Sequence, residues 1–216
     1  MCSSDLTDNR EYFKFVSDSS ISRTQGQEGE PIECVSPVLD NNDGFGKLKK
    51  CCESLNAAGA YVNRSTGLHV HIGAQNLNGE QYVNVFKNYQ KLENVIDSFM
   101  APSRRNSRWA KSLWRFDFSD CYSPEGVELR MHDRYFKVNP ESYSRHNTIE
   151  FRQHQGSTDF TKIKNWVNFC AKLVQWSMSN VFESEVTSID EIPFLTKTEK
   201  NFFKRRQSEF ASRAAA

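Results

Sequence analysis

The chain has 216 residues and a mass of 25.0 kDa, which is enough for one medium domain with a sizeable core. Its formal net charge of +1 gives no bulk attraction to nucleic acid or to an anionic membrane, so we expect neither as a partner. A mean hydropathy of −0.68 without any long apolar run argues against a membrane-spanning helix.

The first residues of the chain suggest that its N-terminus is not the native one. Residues 1–6 read Met-Cys-Ser-Ser-Asp-Leu, which resembles a translated sequencing adapter, and we interpret them as an artefact that is irregular up to residue 7 and makes few contacts. Residues 7–216 are predicted to form a single catalytic domain with a helical extension from about residue 187.

The cysteines show no CxxC spacing, which favours a reducing cytoplasm. They are Cys2, Cys34, Cys51, Cys52, Cys121 and Cys170.

Two short strands and a helix are predicted for the first part of the chain. Residues 12–16 and 32–35 have strand patterns, and the polar stretch 24–31 between them is a predicted loop. A first helix follows, and Gly59 stands where its left-handed C-terminal cap is expected. Its apolar residues at helical spacing are Phe45, Leu48, Cys52 and Leu55.

The middle of the chain predicts a strand over residues 66–74 and a long helix that Asn78 can cap. Pro102 marks the end of this helix. Residues 103–128 are rich in arginine and aromatic residues and are predicted to be an irregular loop over the site. The apolar face of the long helix carries Tyr82, Val85, Phe86, Tyr89, Leu92, Ile96 and Phe99.

The last part of the chain predicts strands over residues 134–138 and 148–154, then a third long helix and a last helix that Thr196 and Glu199 can cap. Strands and helices mix without strict βαβ alternation. This favours an α+β fold with a mainly antiparallel sheet and helices on one face. The buried stripes carry Phe160, Ile163, Val167, Cys170, Val174 and Val181 in the third helix, and Phe202, Phe203 and Phe210 in the last.

Two histidines in the segment Thr-Gly-Leu-His-Val-His-Ile-Gly form the first candidate site. His69 and His71 are two residues apart on a strand, so they project from one face at roughly 6–7 Å from each other. Such a pair can bind a divalent metal or donate to a phosphate. The alternative is a pair of hydrogen-bonded structural histidines.

The segment Thr-Ile-Glu-Phe-Arg-Gln-His forms the second candidate site. Its charged residues Glu150, Arg152 and His154 alternate on one face of the predicted strand. They either line a cleft or form an exposed cross-strand ion pair of little energetic value.

A third candidate is Glu33, a carboxylate in an apolar strand that ends at Pro37. A metal would offset the cost of burying it, and the alternative is that it points outward from an edge strand. Together the three segments provide carboxylates and imidazoles, a set that suits Mg²⁺ or Mn²⁺ better than structural zinc.

These motifs resemble a known group of enzymes. The segment from Gly67 to His71 resembles the Gly-Met-His-x-His segment of glutamine synthetases, and Glu150-Phe151-Arg152 resembles their late Glu-x-Arg strand. The ordered motifs over residues 12–182 are similar to those of the amidoligase family, a glutamine synthetase-like group of carboxylate–amine ligases. The resemblance implies a glutamine synthetase-like catalytic sheet.

The resemblance also implies roles for individual residues. Glu33, His69 and Glu150 would be metal ligands, His71 would face the phosphates of ATP, and Arg152 would be catalytic by holding a phosphate or the acyl phosphate.

Further matches to the family are looser. Arg104, Arg105 and Arg134 are expected to contact ATP, and Tyr135 and Asn139 are expected to contact a substrate.

The function implied is ATP-dependent amide or peptide bond formation through an acyl phosphate. The cofactors would be ATP with Mg²⁺ or Mn²⁺, and the partners would be small-molecule or peptide carboxylates and amines. One departure is that the family's opening strand, Gly-x-Glu-x-Glu, does not precede Tyr12, so we expect a truncated start and low activity. The alternatives are a metal-dependent hydrolase and a degenerate, non-catalytic binding protein.

Overall fold

The computed structural model describes residues 12–215, and for residues 41–42 and 213–215 it describes the backbone only. The predictions for residues 1–7 lie outside this range. Over the described residues, seven α-helices and five strands in small antiparallel sheets confirm the α+β class, while the glutamine synthetase-like type stays a prediction. The chain divides into two compact units, one with the residues up to Gly67 and Gly156–Lys164, the other with Leu68–Gln155 and Asn165–Ala216.

The first unit contains a two-stranded sheet and a helix. Strands β1 (Lys14–Ser17) and β2 (Ile32–Val35) pair antiparallel, with Val16 opposite Glu33. Helix α1 (Asn41–Ala57) follows, and Gly59 has a φ of +74°, the left-handed conformation that the sequence predicts there. The first strand begins and ends slightly later than predicted.

The second unit is built around strand β5 (Thr148–Gln155), which lies between β3 (Gly67–Gly73) and β4 (Val138–Asn139). β4 is antiparallel to β5, with Asn139 opposite Glu150. The central position leaves β5 with six consecutive buried residues. A strand that was predicted to have one polar face is therefore buried on both faces.

Helix α2 (Gly79–Phe99) packs on this sheet. Asn78 caps it in a reciprocal capping box with Gln81, as the sequence predicts in part. The ring of Tyr89 lies 5.8 Å from that of Phe151, so α2 covers the face of β5 that points away from Glu150. The predicted apolar face of α2 is fully buried and forms the centre of the hydrophobic core.

The remaining helices are α3 (Pro102–Arg105), α4 (Pro124–Met131), α5 (Ser142–His146), α6 (Phe160–Ser177) and α7 (Lys197–Ala215), with a 3₁₀ turn at Ile189–Glu191. Thr196 and Glu199 form the predicted capping box of α7. None of the helices in the described part of the chain combines the length and the apolar character needed to cross a membrane.

Three predicted boundaries are wrong. The segment 103–128 is not wholly irregular, because it contains most of α3 and the start of α4. Only Val138 of the predicted strand 134–138 lies in β4, and the Tyr135 carbonyl and the Lys137 N–H bond to Lys111. Helix α6 ends at Ser177, and Val181 beyond it is 45% exposed.

Candidate functional site

Two neighbouring strands bring the candidate residues of the second unit together. Oε1 of Glu150 on β5 lies 3.3 Å from Nδ1 of His69 and 3.7 Å from Nε2 of His71, both on β3. The two imidazoles therefore share one face with the carboxylate, as the two-residue period of a strand predicts. The structure thus brings His69, His71 and Glu150 together at one point.

The carboxylate of Glu150 is held by two strong hydrogen bonds. Arg152 donates from Nη1 to Oε1 over 2.5 Å, and Asn139 donates from Nδ2 to Oε2 over 2.6 Å. The side chain of Glu150 is 2% exposed and that of Arg152 is 5% exposed. The alternative of an exposed cross-strand ion pair is therefore wrong, because the pair lies on the central strand and is removed from water.

A further set of hydrogen bonds fixes the backbone around this carboxylate. The hydroxyl of Ser142 donates to the Thr148 carbonyl over 2.7 Å and accepts the Glu150 N–H over 3.0 Å. Nδ1 of His71 lies 2.8 Å from Oγ1 of Thr148. Sequence reasoning missed Ser142 at the start of α5 and Thr148 at the start of β5, because hydroxyl residues at the ends of elements give no pattern that distinguishes them from turn residues.

Burial and charge together set the protonation states at this site. Burial alone raises the pKa of Glu150, but His69, Arg152 and His71 outweigh it and lower the pKa to about 2. Burial lowers the pKa of His69 to about 3, and the nearby Arg152 cation acts in the same direction. Burial also lowers the pKa of His71, against the opposing effect of Glu150. At neutral pH the site therefore holds one carboxylate, one guanidinium and two neutral imidazoles.

The arginines that were predicted to contact ATP differ in how far they are buried. Arg104 is buried and donates to the carbonyls of Gln153 and Arg152, over 3.1 and 2.6 Å. Arg105 donates from Nε to the Met100 carbonyl over 3.0 Å.

The remaining predicted contacts lie beside Arg152. Arg134 donates to the hydroxyl of Tyr135 over 3.0 Å, and the guanidinium carbon of Arg152 lies 5.7 Å from the centre of the Tyr135 ring. Asn139 was predicted to contact a substrate, and its side-chain amide is bonded to Glu150. The predicted binding roles of these residues stay predictions.

Glu33 belongs to the first unit. It lies on β2 opposite Val16 and is half-buried. Its predicted convergence with His69 and Glu150 on one metal centre stays a prediction.

Glu150 has the carboxylate oxygens that a hard divalent ion prefers as ligands, but these oxygens are engaged in an ion pair with Arg152 and a hydrogen bond with Asn139. Both oxygens of Glu150 accept hydrogen bonds, from Arg152 and Asn139. Over residues 12–215, no three His, Cys, Asp or Glu side chains are grouped so that they could hold a metal ion. As arranged, this set does not form a metal site.

A second buried polar cluster lies on the opposite face of β5 and was not predicted. Lys137 is fully buried and donates to Glu93 over 2.8 Å and to Asp97 over 2.6 Å. Asp97 also accepts a hydrogen bond from Gln153, which accepts one from Tyr89. Two carboxylates around one ammonium offset its desolvation cost, so this cluster ties α2 to the sheet beneath the candidate site.

Comparison with known protein families gives a match. A family model described as "Putative amidoligase enzyme" matches residues 4–116 and 117–174, which include most of the chain and all the candidate site residues. No curated protein and no solved structure matches the chain.

Proposed function

The chain belongs to this amidoligase family, and from that premise we propose that it is an ATP-dependent ligase that joins a carboxylate to an amine. The ligase class follows from the family, while the use of ATP and the acyl-phosphate route are the proposed part. The observation that supports them best is the buried cluster of Glu150, Arg152, His69 and His71 on one face of a sheet.

In the proposed reaction, the γ-phosphoryl group of ATP passes to an oxygen of the substrate carboxylate, and ADP leaves. The amine nitrogen then attacks the acyl carbon, the bond from that carbon to the phosphate oxygen breaks, and the amine loses a proton as the amide forms. Small-molecule or peptide acids and amines are the proposed substrates. Negative charge concentrates on the transferring group, so fixed cationic donors are the main requirement.

Arg152 is the proposed catalytic residue, because its guanidinium is buried and already oriented by Glu150. A planar guanidinium can contact two oxygens of a phosphoryl or carboxylate group at once. Tyr135 and Asn139 are proposed to contact the substrate. The proposed contacts to ATP are His71, Arg104, Arg105 and Arg134.

Mg²⁺ or Mn²⁺ is the second proposed cofactor, with Glu33, His69 and Glu150 as the residues that would hold it. When bound it would neutralise phosphate charge. Because both oxygens of Glu150 are now hydrogen-bonded, this role requires Glu150 to exchange the contact with Arg152 or Asn139. The two neutral imidazoles are in the protonation state that metal binding needs.

ADP release with a mixture of candidate acids and amines tests this function, with and without Mg²⁺. We expect release to require an acid and an amine together. Glu150→Gln should abolish it, and Arg152→Lys should lower kcat by about tenfold to a hundredfold, because a bidentate charged contact is worth about 1.5–3 kcal/mol.

Matched controls are Asp120→Asn and Arg130→Lys, which alter an exposed ion pair outside the site, in which Nη2 of Arg130 donates to both oxygens of Asp120. They should leave ADP release unchanged. Acid- and amine-dependent amide formation without ATP would contradict the proposal, and so would full activity in Glu150→Gln. Hydrolysis of an amide without nucleotide would instead support the hydrolase alternative.

A further inference from the structure

Backbone hydrogen bonds connect three neighbouring segments, from β5 with Arg152 to the segment that contains the exposed Trp109. Arg152 N–H donates to the Lys137 carbonyl over 2.8 Å, which joins β5 to the segment 135–137. That segment bonds in turn to Lys111, through Lys111 N–H to the Tyr135 carbonyl over 2.8 Å and Lys137 N–H to the Lys111 carbonyl over 2.9 Å. Side chains on these segments can therefore form a row next to the candidate site.

Arginine and aromatic side chains form such a row. The guanidinium carbon of Arg152 lies 5.7 Å from the Tyr135 ring centre, and that of Arg134 lies 5.0 Å from it. The rings of Tyr135 and Trp109 are 5.1 Å apart and nearly perpendicular. Arg108 places its guanidinium carbon 4.7 Å over Trp109. The row runs from Arg152, which is buried, to Trp109, which is 37% exposed.

The exposed end of the row is held in place by local hydrogen bonds. Ser107 accepts the Trp109 N–H on its hydroxyl over 3.2 Å and the Ala110 N–H on its carbonyl over 3.1 Å. The ring of Trp109 thus stands partly in water on a fixed turn, although its large apolar surface favours burial. At the other end, Nε of buried Arg152 has no hydrogen-bond partner among the residues that the structure describes. A buried guanidinium N–H without a partner is costly, so an anionic group there would be stabilising.

We propose that this row is the nucleotide subsite, with the purine base stacked on Trp109 and the phosphates directed past Tyr135 towards Arg152. The inference rests on the proposed function, because it takes the nucleotide as the ligand. A nucleotide combines a planar ring with an anionic tail, and the row combines an exposed ring with a buried cation in the same order. The short row and the net charge of +1 favour a mononucleotide over an extended nucleic acid.

Binding measurements on the full chain test the subsite, with ATP and inorganic tripolyphosphate as probes in the presence of Mg²⁺. Trp109→Ala should weaken ATP binding by about tenfold to a hundredfold, the usual effect of losing one base-stacking side chain. It should leave tripolyphosphate binding unchanged, since that probe has no base. Trp109→Phe keeps an aromatic face and should retain most of the affinity for ATP.

Trp114→Ala is the matched control, because Trp114 is comparably exposed, 43% against 37% for Trp109. Equal ATP affinity in Trp109→Ala and the wild type would overturn the subsite and leave the proposed function standing. Equal losses of tripolyphosphate and ATP binding in Trp109→Ala would also overturn it, because the base would then not be the group that is recognised. A wild-type chain that binds neither probe would overturn the proposed function and the subsite together.

Discussion

Glu150 is ionised because its neighbours outweigh its burial. Arg152 and Asn139 donate to its two oxygens, and His69 lies 3.3 Å from one of them. The same burial keeps the imidazoles of His69 and His71 neutral, since a second and third cation would have to be desolvated beside Arg152. The site therefore combines one fixed anion and one fixed cation with two uncharged donors.

This arrangement predicts how stability depends on pH. The pKa of His69 falls from 6.5 to about 3 on folding, so below pH 6.5 the unfolded chain binds a proton that the folded chain does not. Stability from this group is complete above pH 6.5 and decreases as the pH falls towards 3, by up to about 1.4 kcal/mol per pH unit. Glu150, with its pKa lowered from 4.5 to about 2, adds its own loss only below about pH 4.5.

His69→Asn should therefore flatten the decrease in unfolding free energy between pH 6.5 and pH 5, as measured by urea denaturation in the presence of a chelator. Asparagine can keep a hydrogen bond near the position of Nδ1 but does not titrate. His132→Asn is the control, because His132 is exposed and its φ of 51° suits asparagine. An unchanged slope in His69→Asn would show that His69 is not held neutral by the fold.

At the scale of elements, β5 has two functional faces. One face packs on α2, where Phe151 lies next to Tyr89. The other face carries Glu150 and Arg152, and Glu150 lies next to His69 of the neighbouring strand β3. Because the side-chain period of a strand is two, a shift of register by one residue would exchange these faces. The buried cluster around Lys137 links the segment before β4 to α2, which opposes such a shift.

The start of α2 provides a test of packing at this scale. A Cβ atom on Gly79 would lie 2.1 Å from the Tyr122 carbonyl oxygen, although alanine is the better helix former. Gly79→Ala should therefore destabilise the protein by about 1–3 kcal/mol, the usual cost of overpacking. Thermal and urea unfolding measure the effect.

Gly46→Ala is the matched control in α1, where an added Cβ meets no atom of the described residues within 4 Å. This variant should stabilise the protein by about 0.5–1 kcal/mol. Equal stabilisation by both substitutions would mean that Tyr122 does not approach α2 as closely as the structure has it.

At the scale of the whole molecule, the family match covers both compact units. If ATP is a ligand, binding must stabilise the folded chain. A tenfold excess of ATP over its Kd should add about 1.4 kcal/mol, which corresponds to a Tm increase of a few degrees for a chain of this size. Thermal unfolding with rising ATP and Mg²⁺ measures it. Arg152→Lys should need more ATP for the same increase, and a Tm that is insensitive to ATP in the wild type would contradict nucleotide binding.

The sequence by itself determined the α+β class, the family and the composition of each strand face. These are local properties: the period of apolar residues predicted α2, the cap at Asn78 predicted its start, and the two-residue spacing put His69 with His71 and Glu150 with Arg152. The wrong boundary at residues 134–138 lies where the hydrogen-bond partner is distant in sequence, as with Lys111 and Tyr135.

Only the tertiary structure decided which faces are buried and which side chains meet. Glu150 forms a buried ion pair with Arg152 because β5 is the central strand of its sheet. No periodicity within β5 distinguishes a central strand from an edge strand. Asn139 reaches Glu150 through β4, and Lys137 is neutralised by Glu93 and Asp97 from α2. Hydrogen bonds and charge pairs act over a few ångströms in space, and for residues so far apart in sequence only the folded chain fixes those distances.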